Sequence, residues 1–215
     1  MRIVANICVY NAVDVIGRCL KSLDGIVDRI LILDCKWIGF PSSLAYSVDG
    51  TLSVIKRFRE TSKSEVIIVT SLTPMHQYEA RNYLFNLVHK NDWILVIDSD
   101  ETIIKVPENL REILSTTKER GFRIFSSTKK GNRYPLPTLK LVKKTKGLSY
   151  EENHRYIKDK KGRIHVGDFP TIDIEIKHFP KKAMREKMNE YEDWLLKWEN
   201  RNAYKEEQIN SNKAI

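Results

Sequence analysis

Cysteine is scarce in this chain of 215 residues. Cys8, Cys19 and Cys35 are odd in number, widely spaced and without a Cys-x-x-Cys pair, which argues against a disulfide framework or a structural zinc site. A reduced, cytoplasmic compartment fits them. No apolar run approaches the roughly 20 residues that a membrane span needs, and Met1-Arg2-Ile3-Val4 opens directly on a strand pattern without a signal-peptide pattern. The expectation is a soluble core, with contact to the inner face of a membrane left open. Also missing are a Gly-x-Gly-x-x-Gly after the first strand and a Walker A sequence, so neither a standard dinucleotide fold nor a P-loop enzyme is indicated.

Acidic residues are outnumbered, 28 Asp and Glu against 37 Lys and Arg, and the net charge of +9 favours anionic partners such as nucleotide diphosphates, nucleic acid or acidic lipid. A non-catalytic nucleic-acid binder would explain that charge. Yet no helix-turn-helix, zinc or aromatic RNA-binding pattern accompanies it.

Strands and helices alternate through the first half. Ile3 to Val9 reads as a strand, followed by the loop Tyr10-Asn11-Ala12 and a helix from about Asp14 with Ile16, Leu20 and Leu23 at helical spacing. Arg29 to Leu33 is a second strand ending at Asp34. Asp49-Gly50 introduces a helix with Asp49 as its cap, Val66 to Val69 is a third strand, and Thr73-Pro74 opens a helix through about His89. Four β-α steps in under about 100 residues predict an α/β three-layer αβα sandwich with a mostly parallel central sheet. The length suits one domain over 1–180, with a nucleotide-binding half at 1–102 and an acceptor half at 103–180, followed by a C-terminal amphipathic helix and tail at 181–215.

The fourth strand carries the chemistry. Trp93 to Ile97 is a continuous apolar run, as in a strand buried on both faces, and it breaks abruptly into Asp98-Ser99-Asp100-Glu101. Open α/β sheets place ligands at that carboxyl edge. Two carboxylates this close repel unless a cation or proton intervenes, and their oxygens favour Mg²⁺ or Mn²⁺ completed by substrate phosphates. A phosphorylated or nucleotide-bearing substrate follows.

In the second half, Pro107 begins a helix and Gly121 ends it before a strand from Phe122 to Phe125. Leu136 to Val142 reads as a further strand, and Lys140, Lys143, Lys144 and Lys146 make a basic edge, either solvated or facing an acceptor phosphate or a membrane. Ile172, Ile174, Ile176 and His178 share one face of an alternating strand. Met184, Met188, Tyr191, Leu195 and Trp198 follow at three- and four-residue intervals in a helix that would cover the core, meet an interface or form a homodimer seam.

Ile7-Cys8-Val9-Tyr10-Asn11, Cys19 to Leu23, Ile30 to Asp34, Asp49-Gly50-Thr51, Glu79-Ala80-Arg81-Asn82 and Asp92 to Glu101 together resemble the inverting GT-A glycosyltransferases of family 2, close to small bacterial and archaeal members. The resemblance implies a nucleotide diphosphate sugar donor lying across the carboxyl edge of the sheet. Asp34 would hold the base, Val9, Tyr10 and Asn11 would flank it, and Asp98, Ser99 and Asp100 would address the ribose and the metal-bound diphosphate. Arg81 would approach the donor from its helix, while Asn82 would satisfy backbone groups.

The insertion from Lys36 to Val48, with Trp37, Phe40, Pro41 and Tyr46, departs from that pattern and either lids the donor or packs locally. His178, in Ile176-Lys177-His178, resembles a late family histidine that joins Asp98 and Asp100 at the metal. The segment from Gly147 to Arg155 resembles the family's acceptor segment, but Arg155 follows His154 where the acidic partner normally stands. The base that takes the acceptor proton is therefore expected at Glu152, with Glu151 and Glu101 as the other candidates. The acceptor would be a glycan or lipid-linked hydroxyl of the cell envelope.

Asp98-x-Asp100-x-Thr102 also fits a haloacid-dehalogenase-like phosphatase with Asp98 as nucleophile. In that family the motif normally lies on the first strand, whereas three β-α units precede it here.

Overall fold

The structure is a computed structural model that describes residues 1–40, 42–127, 131–151, 157–160 and 162–179. Strands β1 (Ile3–Val9), β2 (Arg29–Asp34), β3 (Glu65–Thr70) and β4 (Trp93–Val96) run parallel in the spatial order β3-β2-β1-β4. Helices α1 (Ile16–Leu23), α2 (Thr51–Thr61) and α3 (Gln77–Asn86) connect them. Because the four strands are parallel, the loops after β1, β2, β3 and β4 emerge at one edge.

The remaining elements are β5 (Glu101–Lys105), α4 (Leu110–Thr116), β6 (Gly121–Ser127), β7 (Arg133–Pro135), β8 (Leu141–Lys143), β9 (Ser149–Tyr150), β10 (Ile157–Asp159), β11 (Gly162–Ile164) and β12 (Thr171–His178). They extend the sheet to nine strands in the order β3-β2-β1-β4-β8-β6-β12-β5, with β7 on β6. This half is mixed. β8 is antiparallel to β4 and β6, β12 is parallel to β6, and β5 is antiparallel to β12. The mostly parallel expectation holds for β1 to β4 and gives way beyond them.

The turn between β4 and β5 explains part of that change: it is far too short for the dozen or so residues of a parallel crossover, so β5 leaves β4 and pairs elsewhere. β9, β10 and β11 form a separate antiparallel sheet.

Alternation along β2 sends Ile30 and Ile32 to one face and Leu31 and Leu33 to the other, and every one of these side chains is buried. On the first face the sheet packs against Ile16, Cys19, Leu20 and Leu23 of α1, Ile55 of α2, and Leu110 and Leu114 of α4. The α1 residues fall at i, i+3, i+4 and i+7, the spacing of one helical stripe, and truncating Leu20 to alanine would cost about 2–5 kcal/mol. The other face is covered by Ala80, Leu84 and Phe85 of α3 and by Tyr150, Ile157 and Ile164 of the small sheet. Trp93 is fully buried and donates its indole N–H to the Leu114 carbonyl at 3.0 Å, tying β4 to α4.

Several elements differ from the sequence expectation. α3 starts at Gln77 rather than Thr73-Pro74 because Met75 is held extended, its N–H on the Lys36 carbonyl and its carbonyl on the Ile38 N–H, both at 3.0 Å. The expected strand from Leu136 to Val142 is reduced to its end: Pro137 has no N–H to give a ladder, β7 stops before it at Pro135, and β8 begins only at Leu141. β5 was not foreseen, its short run being masked by the acidic turn before it.

Asp49 does serve the start of α2. Its carboxylate accepts the Thr51 N–H at 3.0 Å, while Gly50 takes the left-handed conformation between them. Among the described residues no helix is long and apolar enough to cross a membrane. The segment expected to form the C-terminal helix and tail, 181–215, lies outside the described residues.

Candidate functional site

β4 ends at Val96, and the next residues close a tight turn on themselves. Glu101 N–H donates to the Asp98 carbonyl at 2.9 Å, and Asp98 N–H donates to Glu101 Oε2 at 2.7 Å. The turn faces the carboxyl edge with Asp98 part-exposed and Ser99 buried. Arg81 Nη2, from α3, meets Asp98 Oδ1 at 3.0 Å, and Lys140 Nζ meets Oδ2 at 3.0 Å. Lys140 also reaches both Glu101 oxygens, at 2.9 and 2.7 Å.

Lys140 is therefore a buried member of the site, and the basic edge read from sequence is reduced to Lys143, Lys144 and Lys146. Burial works to raise the Asp98 carboxyl, but the charges of Lys140 and Arg81 overcome it and hold the group well below the usual carboxylate range. For Glu101, burial wins over Lys140 and the group is raised.

Asp100 has a different partner. His178 Nε2, at the end of β12, lies 3.0 Å from Asp100 Oδ2, and the Phe179 N–H donates to the Asp100 carbonyl at 2.7 Å. His178 is exposed, unlike Ile172, Ile174 and Ile176 on the buried face of the same strand. The hydrogen bond to Asp100 raises its pKa against the opposing effect of burial. The repulsion expected between the two aspartates is thus relieved on separate sides, by Arg81 and Lys140 at one and by His178 at the other.

Among the described residues no group of three or more His, Cys, Asp or Glu gathers as a metal site. Asp100 and His178 place one carboxylate oxygen and one imidazole nitrogen 3.0 Å apart at this edge, a donor pair that would suit Mn²⁺ or Mg²⁺ only with water and substrate phosphate as the other ligands. Asp98, expected to share that metal, has a cation on each oxygen instead.

Asp34, at the end of β2, is fully buried. Its Oδ1 accepts the Ser47 hydroxyl at 2.6 Å, and the Ser47 N–H lies 3.1 Å from Oδ2. Burial raises its pKa, with the Ser47 bonds opposing. Ser47 also accepts the Asn11 N–H at 2.8 Å, and Asn11 Oδ1 accepts the Val48 N–H at 3.1 Å. Tyr10 donates its hydroxyl to Ser42 at 2.6 Å, and Phe40 meets its ring edge-on at 5.5 Å. Val9 accepts the Cys35 N–H through its carbonyl at 3.0 Å. The described part of the 36–48 insertion thus packs onto the residues expected around the base, with Trp37 bridged to Met75.

On the α3 side, Asn82 satisfies backbone groups in both senses, its Oδ1 accepting Tyr150 N–H at 2.6 Å and its Nδ2 donating to the Tyr150 carbonyl at 3.0 Å. Arg81 stacks over the Tyr150 ring, 5.1 Å from its centroid. This docks Tyr150 beside the Arg81–Asp98 pair and carries Glu151 with it. Glu151 is paired with Arg163 Nε at 2.9 Å, whereas Glu152, the expected base, lies outside the described residues, as do His154 and Arg155.

Beneath the Arg81–Asp98 pair a small cavity, lined in part by Asn6, Cys8 and Phe85, has room for about one water. The buried Asn6 amide, which has no hydrogen-bond partner, borders it. Sequence reading missed Asn6 and Tyr150 and misread Lys140. The available signal was local: Lys140 stands between Leu139 and Leu141, both buried.

No family model matches the chain, and no curated protein matches it. Among solved structures, the chain is similar to S. aureus TarS 1–349, at 20% identity and a TM-score of 0.45 over 64% of this chain and 39% of that one. The same values hold for TarS 1–349 in complex with UDP. Mannose-6-phosphate isomerase from Helicobacter pylori is similar at 14% identity and a TM-score of 0.40, over 67% of this chain and 61% of that one. In each case the chain spans less than two thirds of the other protein's length, and such distant likenesses carry no conclusion about activity.

Proposed function

We propose that this protein is a GT-A-like glycosyltransferase that moves a sugar from a nucleotide diphosphate sugar to a hydroxyl acceptor, with inversion. The observation that carries the reading is the placing of Asp98 and Asp100 on one turn at the carboxyl edge of β4, Asp98 against Arg81 and Lys140 and Asp100 against the His178 imidazole. The sequence resemblance described above supports it independently.

In this reading the part-exposed Asp98 accepts hydrogen bonds from donor hydroxyls, and Arg81 and Lys140 keep it ionised and fixed. Asp100 and His178 would hold a divalent cation, which would supply positive charge to the departing diphosphate. The acceptor oxygen forms its bond to the anomeric carbon as the bond from that carbon to the diphosphate oxygen breaks, and a carboxylate takes the acceptor proton.

Glu152 remains the proposed base. Glu101 is buried with both oxygens on Lys140, and Glu151 accepts from Arg163, so neither carboxylate is free to meet an acceptor hydroxyl. Asp34 and the described part of the 36–48 insertion form the wall of the nucleotide half. A glycan or lipid-linked hydroxyl is the proposed acceptor class.

The test is release of nucleoside diphosphate from a panel of sugar nucleotides in the presence of Mn²⁺, with and without candidate glycan acceptors. Acceptor-stimulated release is expected. A phosphatase would instead form an aspartyl-phosphate on Asp98, visible by mass spectrometry with a trapping analogue, and that result would overturn the proposal.

A further inference from the structure

The charged groups around Asp98 are graded in burial. The side chains of Lys140 and Glu101 are each 8% exposed and that of Arg81 12%, whereas Asp98 is 41% exposed. Lys140, seated on Glu101, and Arg81 hold one part-exposed carboxylate at the carboxyl edge of the sheet.

Their anchoring comes from separate elements. The Lys140 carbonyl accepts the Val96 N–H at 2.8 Å, so its backbone is fixed against the end of β4 just before the acidic turn. From there Nζ reaches Asp98 Oδ2 at 3.0 Å and both Glu101 oxygens, and the ammonium donors are spent on carboxylates. Arg81 takes Asp98 Oδ1 from α3, on the opposite side. Held at both oxygens from two elements, the carboxylate cannot rotate without breaking an ion pair. Each oxygen still has a lone pair to offer the cleft.

Stability does not explain this arrangement. A buried ion pair repays its desolvation poorly, and apolar side chains of similar volume often serve a fold as well or better. The Lys140–Glu101 pair has a use that apolar residues could not supply: an ammonium placed beneath an exposed carboxylate.

Resting on the glycosyltransferase reading, we propose that Lys140 is a positioning residue for the donor site, seated on Glu101 and holding Asp98 in the one orientation that meets the sugar nucleotide. It acts through Asp98 and has no contact with the reacting atoms.

The experiment measures binding of UDP, GDP and TDP with Mn²⁺ by calorimetry, which does not depend on the identity of the base or the acceptor. Lys140→Met alone strands a buried Glu101 and is expected to melt early. The decisive protein is therefore Lys140→Met combined with Glu101→Gln, which removes both buried charges together. It should melt close to the wild type yet bind the tightest nucleotide of the panel at least about tenfold more weakly, because a small misplacement at a binding group is costly. Wild-type affinity in the folded double variant would overturn the positioning role while leaving the glycosyltransferase reading intact. A wild type that binds no member of the panel would overturn that reading, before any variant is compared.

Discussion

His178 Nε2 stands 3.0 Å from Asp100 Oδ2, across the β5–β12 ladder that pairs His178 with Glu101. The contact joins the last strand of the described fold to the acidic turn that follows β4, residues far apart in sequence. It also couples the charge of the imidazole to that of the aspartate.

The pair makes a pH prediction. Asp100 favours the imidazolium, so the folded pKa of His178 lies above its ordinary value of 6.5. Its contribution to stability is complete below that ordinary value and is lost as pH rises through the raised one. An NMR titration of the ring should give a midpoint above 6.5, and Asp100→Asn should bring it down. Affinity for Mn²⁺ should rise over the same interval, since a metal ligand must be the neutral imidazole. A wild-type midpoint at or below 6.5 would contradict the pairing.

Ser47 and Asp34 give a prediction about structure rather than chemistry. Ser47→Ala leaves the fully buried carboxylate with fewer donors and should cost about 1–3 kcal/mol, read as a lower melting temperature. The order in which nucleotide diphosphates bind should stay the same, because Asp34 is spent on the loop. A changed preference among bases at unchanged stability would return Asp34 to the base.

Much of the nucleotide half was legible because its signals are local. β1 is a seven-residue strand, apolar but for Asn6, with the bounds read from sequence, and Asp98-Ser99-Asp100 sits where the apolar run of β4 breaks. The burial of Lys140 was hinted at only by Leu139 and Leu141 on either side of it; its partners, Asp98 and Glu101, lie about 40 residues away in sequence, and the lysine was read with its charged neighbours. His178 was legible by type, and its exposure was not. Alternation put it on the face of the isoleucines, and at the last residue of β12 it is exposed and meets Asp100. The boundary of α3 turned on a long-range pairing of Met75 with Trp37 that no local propensity contains.

For the base, Glu152→Gln should preserve donor binding and abolish most transfer, because the carboxylate is needed only as the acceptor proton moves. Glu151→Gln should lose far less, its carboxylate already being paired with Arg163. Steady-state transfer rates beside calorimetric donor affinities separate the two. Near-normal transfer by the Glu152 variant would reassign the role.

The central claim is that Asp100, with His178, brings a divalent cation and a nucleotide diphosphate together at this edge of the sheet. Calorimetric titration of UDP, GDP and TDP, with and without Mn²⁺, into the wild type and into Asp100→Asn addresses it directly. The account predicts Mn²⁺-dependent binding of at least one nucleotide by the wild type, and its loss in a variant whose melting temperature is little changed. Equal, metal-dependent affinity in the folded Asp100→Asn protein, or no nucleotide binding by the wild type at all, would contradict it.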